Sequence, residues 1–186
     1  MTVNLLEDLW DKNLINIFVA PLKFSEWITS LLTLGILKAF VSLLFTALLA
    51  YILYKVQIFS FGLYLIPFFA LLIMSGWAVG FLVIGLVLRN GTRIQTLAWA
   101  MVAIISPFSA VYYPVSILPD WAQKVAMLIP TSYVFEGMRQ VINQHVLDPQ
   151  KLYISLILNL IYLPFAILYL RSSYKKVLQK GMLSLD

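Results

Sequence analysis

The chain has 186 residues, 62% of them hydrophobic and 11% charged, with a mean hydropathy of +0.92. A soluble domain is only about half apolar, so an ordinary soluble fold is excluded and the chain reads as an all-α membrane protein, with no room for a catalytic domain beside its spans. The net charge of +5 needs no nucleic acid, because basic flanks of membrane spans meet anionic lipid headgroups. The absence of cysteine removes disulfide and thiolate chemistry, and the single His145 argues against a protein metal site.

Residues 1–27 do not resemble a secretory signal, since Glu7, Asp8 and Asp11 stand where positive charge is expected. Leu5, Leu6, Leu9, Trp10 and Leu14 alternate there with Glu7, Asp8, Asp11 and Lys12, a pattern predicting an amphipathic helix. Such a helix suits docking into a groove of another protein, and it equally suits lying on the inner leaflet. Four apolar runs follow, at 31–54, 61–88, 97–118 and 152–170, about four spans in all. Lys38 is expected close enough to one end of the first run to snorkel. Pro67 suggests a kink or a short interfacial lead into the second run. In the third, Pro107 interrupts and Pro114 and Pro119 end the run, which argues against a regular helix across the whole membrane. The fourth holds Pro164, and a basic tail occupies 171–186.

Lysine and arginine set the orientation. With both termini cytoplasmic, the inside holds Lys12, Lys23, Lys38, Arg89, Arg93, Arg171, Lys175, Lys176 and Lys180, nine residues. The outside then holds four, Lys55, Lys124, Arg139 and Lys151. The bias places residues 119–148 outside. There Asp120 is positioned to cap a short helix with Trp121, Val125 and Leu128 on one face, stopped by Pro130. Thr131 or Ser132 is positioned to cap a second helix that carries Val134, Met138, Val141 and Ile142 on one face and Glu136 in its first turn. Neither helix is long enough to cross a bilayer, so the pair lies in the interface or re-enters it, where irregular backbone needs cover from protein or a cavity. The same pattern also fits interfacial anchors of proteins that transport nothing, and Glu136 with Arg139 at i, i+3 also fits a solvated pair.

Gly76 and Gly80 form a G-x-x-x-G motif on the second run, a packing signal that carries no substrate information. Ser42, Thr46, Ser75 and Asn159 are candidates to line a polar path, and they equally fit bonds to carbonyls one turn back. The chain contains no P-loop, no H-E-x-x-H and no G-x-S-x-G, and no pair of carboxylates falls within one span. An intramembrane enzyme is therefore a poor reading. A structural or regulatory subunit packing through the glycine face is the non-transport alternative.

The stretch "YYPVSILPDWAQKVAMLIPTSYVFEGMR" resembles the outer loop of type-2 ABC exporter permeases at Pro114, Leu118, Pro119, Trp121, Pro130, Tyr133, Glu136 and Arg139. "LLEDLWDKNLINIFVAPLKFSEW" is similar to their cytoplasmic coupling segment, with Asn13, Leu14, Pro21 and Glu26 at the family spacing, and "LRSSYKKVLQKG" to their basic tail. The resemblance implies a single, partial exporter transmembrane domain over 1–186. Relative to the family's six spans, the amino-terminal helix and first two spans have no counterpart, so an inactive truncated permease is a further alternative. It implies an outer gate at Pro114, Trp121, Pro130, Tyr133, Glu136 and Arg139, and ATPase coupling through Asp8, Trp10, Asp11, Lys12, Asn13 and Pro21. ATP and magnesium would be held by a separate ABC ATPase, with no cofactor in this chain. The further partners implied are membrane lipid and a second permease, identical or homologous. The location implied is the plasma (inner) membrane, multi-pass, with both termini cytoplasmic. For cargo, few intramembrane charges favour a lipid, glycolipid or hydrophobic drug over an ion.

Overall fold

The structure, a computed structural model, describes residues 23–55, 62–90, 95–144 and 148–180. Every element among them is helical: α1 (Phe24–Tyr54), α2 (Leu65–Asn90), α3 (Gln95–Phe108), a 3₁₀ turn (Val115–Ile117), α4 (Asp120–Ala126), α5 (Pro130–Gln144) and α6 (Pro149–Lys180). Among the described residues three helices are long and apolar enough to cross a membrane, Phe24–Tyr54, Gly62–Asn90 and Pro149–Val177. The protein is therefore an all-α, multi-pass membrane protein.

The core is a parallel pair, α2 and α6. Ser75 meets Asn159, and Gly85 meets Tyr169 and Leu170, so the two helices advance in step and in the same direction. Phe81, Ile84, Val87 and Leu88 of α2 pack with Ala166, Leu170 and Val177 of α6, and Trp27, Ile28 and Leu31 of α1 join them. A second cluster joins Phe68 and Leu71 of α2 to Val134 and Val141 of α5. Because the pair is parallel, α2 ends at the opposite end from where α6 begins, and the chain between must travel back along it. That distance is about 39 Å for the 26 residues of α2. The 14-residue α3 covers about 21 Å of it, and the 15-residue α5, which leads to the start of α6, covers about 22 Å. The 97–118 run, expected as a span, is therefore a helix of 14 residues with Pro107 in its last turn, too short to cross a bilayer as a helix.

Several local expectations change. Lys38 falls near the middle of the 31-residue α1, because the helix begins at Phe24, where the Glu26 carboxylate accepts the Lys23 N–H at 3.1 Å. Pro67 lies in the first turn of α2, where its missing N–H costs nothing, and a 3₁₀ turn at 62–64 forms the lead. Pro119, with no side-chain cap bond, takes the N-cap position expected of Asp120, which stands inside α4. Glu136 lies beyond the first turn of α5. Helix α6 continues through the basic residues to Lys180, since neither proline nor glycine interrupts the sequence there.

The tight glycine contact is at Gly85. A Cβ there would lie 2.7 and 2.9 Å from the Tyr169 ring, whereas one at Gly76 would meet nothing within 4 Å. Gly80 is buried. Gly85→Ala is expected to destabilise the α2–α6 pair by about 1–3 kcal/mol, the usual cost of overpacking, and Gly76→Ala to be near neutral. Thermal unfolding in detergent reads both. A Tyr169→Ala background should abolish most of the Gly85→Ala cost, and additive effects would refute the contact.

Candidate functional site: a cavity beneath a helix break

Between α4 and α5 the chain leaves the helical path over 127–129, and several carbonyls there receive a hydroxyl, those of Ala126 and Ile129 in addition to the N–H groups of Ile129 and Ser132. Ser132 Oγ lies 2.6 Å from Ala126 O and 2.7 Å from Ile129 O, its one proton shared between them, and Tyr133 donates to Met127 O at 3.0 Å. The remaining donors come from α6, where Tyr162 reaches Leu128 O at 2.8 Å and Ser155 reaches Pro130 O at 2.9 Å. Ser132 therefore serves the preceding turn, not the start of α5, and Thr131 Oγ1 is buried with no partner among the described residues.

Ser155, Asn159 and Tyr162 stand at i, i+4 and i+7, a polar stripe on an otherwise apolar α6. Asn159, fully buried, accepts from Ser75 Oγ at 2.9 Å and donates to Leu71 O at 3.4 Å, fixing α2 to α6 at the same level. Tyr162 lies about 20 Å along α6 from Pro149. The break therefore sits beside the middle of α6, well away from the end where that helix begins.

Below the break is a cavity of about 760 Å³. Leu72, Val79 and Leu82 of α2, Ile105 of α3 and Phe165 of α6 form its walls, and Val125, Leu128 and Thr131 of the break roof it. The lining is apolar apart from Ser75, Thr131 and Tyr162. Helix α4 turns its small residues Ala122 and Ala126 inward and leaves Trp121 63% exposed, with Leu128 just after it 61% exposed, the distribution of a segment whose outer side meets lipid or another chain. On α5, Val134 and Val141 are buried, Met138 packs beside them and Ile142 is exposed. Gly137 leaves room for the Phe68 ring, 3.1 Å from where its Cβ would be.

Glu136 and Arg139 bond to each other at 3.3 Å and are each about three-quarters buried. They also grip the leg after α3. Glu136 accepts the Val115 N–H at 2.8 Å, and Arg139 donates to the carbonyls of Ala110 and Val111. Ala110 is fully buried at φ +59°, a left-handed conformation that L residues other than glycine rarely adopt, and it reverses the chain at the end of α3. The pair thus works as a clamp. Pro114 precedes the 3₁₀ turn beside it, Tyr133 and Pro130 belong to the break, and Trp121 packs edge-on against Phe108 of α3 at 6.0 Å. Of these six, Pro130 lines the cavity and Tyr133 bonds within the break, whereas Pro114, Glu136 and Arg139 belong to the leg after α3 and Trp121 to the end of α3. Asp8, Trp10, Asp11, Lys12, Asn13, Pro21 and His145 lie outside the described residues.

Ser155 and Tyr162 escape a motif search, although their spacing with Asn159 was a usable signal: three polar residues on one side of an apolar span. Ala110 left no such trace, since alanine does not announce a positive φ.

A bundle of apolar spans with an apolar cavity under the α4–α5 break is compatible with a membrane permease. Residues 3–172 match the family described as ABC-2 family transporter protein, and the chain belongs to that family. It is a permease subunit of an ABC transporter, a transport component and not itself a catalyst. No curated protein and no solved structure shows a significant match.

Removing the clamp should expose the leg it holds. In Glu136→Ala the Val115 amide is expected to exchange about tenfold faster, the factor for losing a charge-assisted bond worth about 1.4 kcal/mol, read by hydrogen exchange of the 110–118 peptide. Glu136→Gln, which keeps an acceptor, should change less. Unchanged exchange in both variants would leave the pair without a structural role.

Proposed function

We propose that this chain is the export permease of an ATP-driven transporter, with both termini cytoplasmic. The cavity beneath the α4–α5 break forms part of the substrate pathway, and the break is its outer lid. The observation that carries this reading is the set of α6 hydroxyls on the break's carbonyls. A break bathed in water would need no such donors, whereas one re-entering the hydrocarbon from the outer side needs every one. The apolar lining suits a hydrophobic or lipid-like cargo.

A separate ABC ATPase, holding ATP and magnesium, would act on residues 1–27 through Asp8, Trp10, Asp11, Lys12, Asn13 and Pro21, switching the pathway between inward and outward access. A second permease copy or a homologous permease would face this one across it, in the plasma (inner) membrane. Trp27 of α1 stacks on Tyr174 of α6 with ring centroids 5.5 Å apart, and Phe24 closes on Tyr174 at 5.3 Å. A push on the segment before Phe24 therefore reaches the carboxy-terminal part of α6 directly. Such switching requires contacts that differ between the two states, and the roof supplies them through its exchangeable hydroxyl bonds. Loss of Glu136 or Arg139 would loosen the lid.

The chain has no cysteine, so a single Cys at Leu72 in the cavity wall reports access without knowledge of the substrate. In the complex with its ATPase, that Cys is expected to react with a membrane-impermeant maleimide from the outer side at least tenfold faster when ATP is trapped. Trp10→Ala or Asp11→Lys should erase the nucleotide dependence. Reactivity independent of nucleotide in the native complex, or only from the inner side, would overturn the pathway.

A further inference from the structure

Three hydroxyl-bearing residues line the cavity beneath the break, Ser75, Thr131 and Tyr162, and what a ligand finds there depends on which of their protons and lone pairs are already engaged. Ser75 commits its proton to Leu71 O or Asn159 Oδ1, each at 2.9 Å. Tyr162 commits its own to Leu128 O at 2.8 Å, and Thr131 Oγ1 is buried away from any partner among the described residues. The lining side chains thus leave no proton open to a ligand. Lone pairs are what remain. A carbonyl oxygen carries two and a phenol oxygen accepts as well as donates, so Leu128 O and Tyr162 Oη, side by side, form a pair of acceptors with capacity left. No backbone N–H reaches Leu128 O among the described residues.

Exposure separates this pair from the other bonds that hold the break. The bonds of Ser155 to Pro130 O and of Ser132 to Ala126 O are buried, and neither serine lines the cavity. The Tyr162–Leu128 bond is exposed, and both of its residues line the cavity. Among the described residues the lining holds no acidic or basic side chain, so an ion there would stand uncompensated in apolar surroundings. An anion would in addition meet acceptors where it needs donors. A neutral group that donates a hydrogen bond meets both conditions.

We infer that the cavity binds a neutral alcohol carried on a long apolar body, its O–H donating to the Leu128 carbonyl beside Tyr162 and its body lying along Leu72, Val79, Leu82 and Phe165. The volume of about 760 Å³ falls within the range of about 300–1,000 Å³ usual for small-molecule sites. Because Leu128 belongs to the break, such a ligand bonds to the roof itself. As a bound ligand the alcohol stands on the cavity alone; as cargo it also rests on the transport reading above.

A single Cys at Leu82 in the cavity wall reports occupancy, and one at Val79 repeats the measurement should the first disturb packing. The full chain in lipid nanodiscs is labelled with N-ethylmaleimide in the presence of decanol, methyl nonyl ether, undecane or decanoate, each at the same mole fractions in the lipid. Decanol is expected to half-protect the Cys at about fivefold lower mole fraction than the ether, the factor that one neutral hydrogen bond supplies. The ether has the same length and an oxygen that only accepts. Tyr162→Phe leaves the Leu128 carbonyl unmet, so the preference for decanol over the ether should rise severalfold further in that variant. Equal protection by decanol and the ether in the native chain would overturn the site, and that comparison needs no change at Tyr162. A preference that Tyr162→Phe leaves unchanged would place the O–H elsewhere and overturn the assignment to Leu128. Stronger protection by decanoate than by decanol would overturn the neutral ligand. No ATPase is needed, so an alcohol preference without nucleotide-dependent access at Leu72 would defeat the transport reading and leave the site standing.

Discussion

Where a main chain leaves the helical path, its carbonyls take donors from outside the helix ladder. At the α4–α5 break two such donors come from α6, and they fix much else. Ser155 and Tyr162 must lie on the side of α6 that faces the break. Asn159, between them, is thereby turned toward Ser75 and Leu71 of α2. One polar stripe thus sets both the rotation of α6 about its axis and its register with α2. The cavity is the space left when a rigid parallel pair is covered by a hairpin too short to follow it to the far end.

The leg between α3 and α4 answers the same requirement with charges. Ala110 reverses the chain at positive φ, a conformation that costs on the order of 1 kcal/mol for a residue with a Cβ. The Arg139 guanidinium offsets that cost by taking up the carbonyls of Ala110 and Val111, while Glu136 takes up the N–H of Val115. Glu136 and Arg139 are consequently neither a solvated pair nor isolated charges facing a pore. They join the end of α3 to the helix that packs against the core.

Much of this was legible in the sequence, and the gaps have physical causes. Apolar runs reveal spans because the bilayer imposes their length, and Pro119 and Pro130 reveal where helices start and stop because proline lacks an N–H. Glu136 and Arg139 could be picked out, but not the carbonyls they hold, since those lie more than twenty residues away in sequence. The depth of Lys38 was misread because Ser25, Glu26, Thr29 and Ser30 lower hydropathy without stopping a helix, so the apolar run begins later than α1 does. Glycine spacing pointed to Gly76 and Gly80, whereas the tight approach is at Gly85, chosen by which side of α2 the Tyr169 ring meets.

Helix α1 is fastened unevenly. Trp27, Ile28 and Leu31 in its first turns are buried against α2 and α6, and beyond them only Ala47 is. Mechanically this is a boom stepped at its foot. Rotation about that foot sweeps the Tyr51 end through lipid while giving up almost no packed surface, so little hydrophobic free energy opposes it. The width of the space beside α2 is then a soft coordinate of the molecule, set as much by whatever occupies it as by the protein itself.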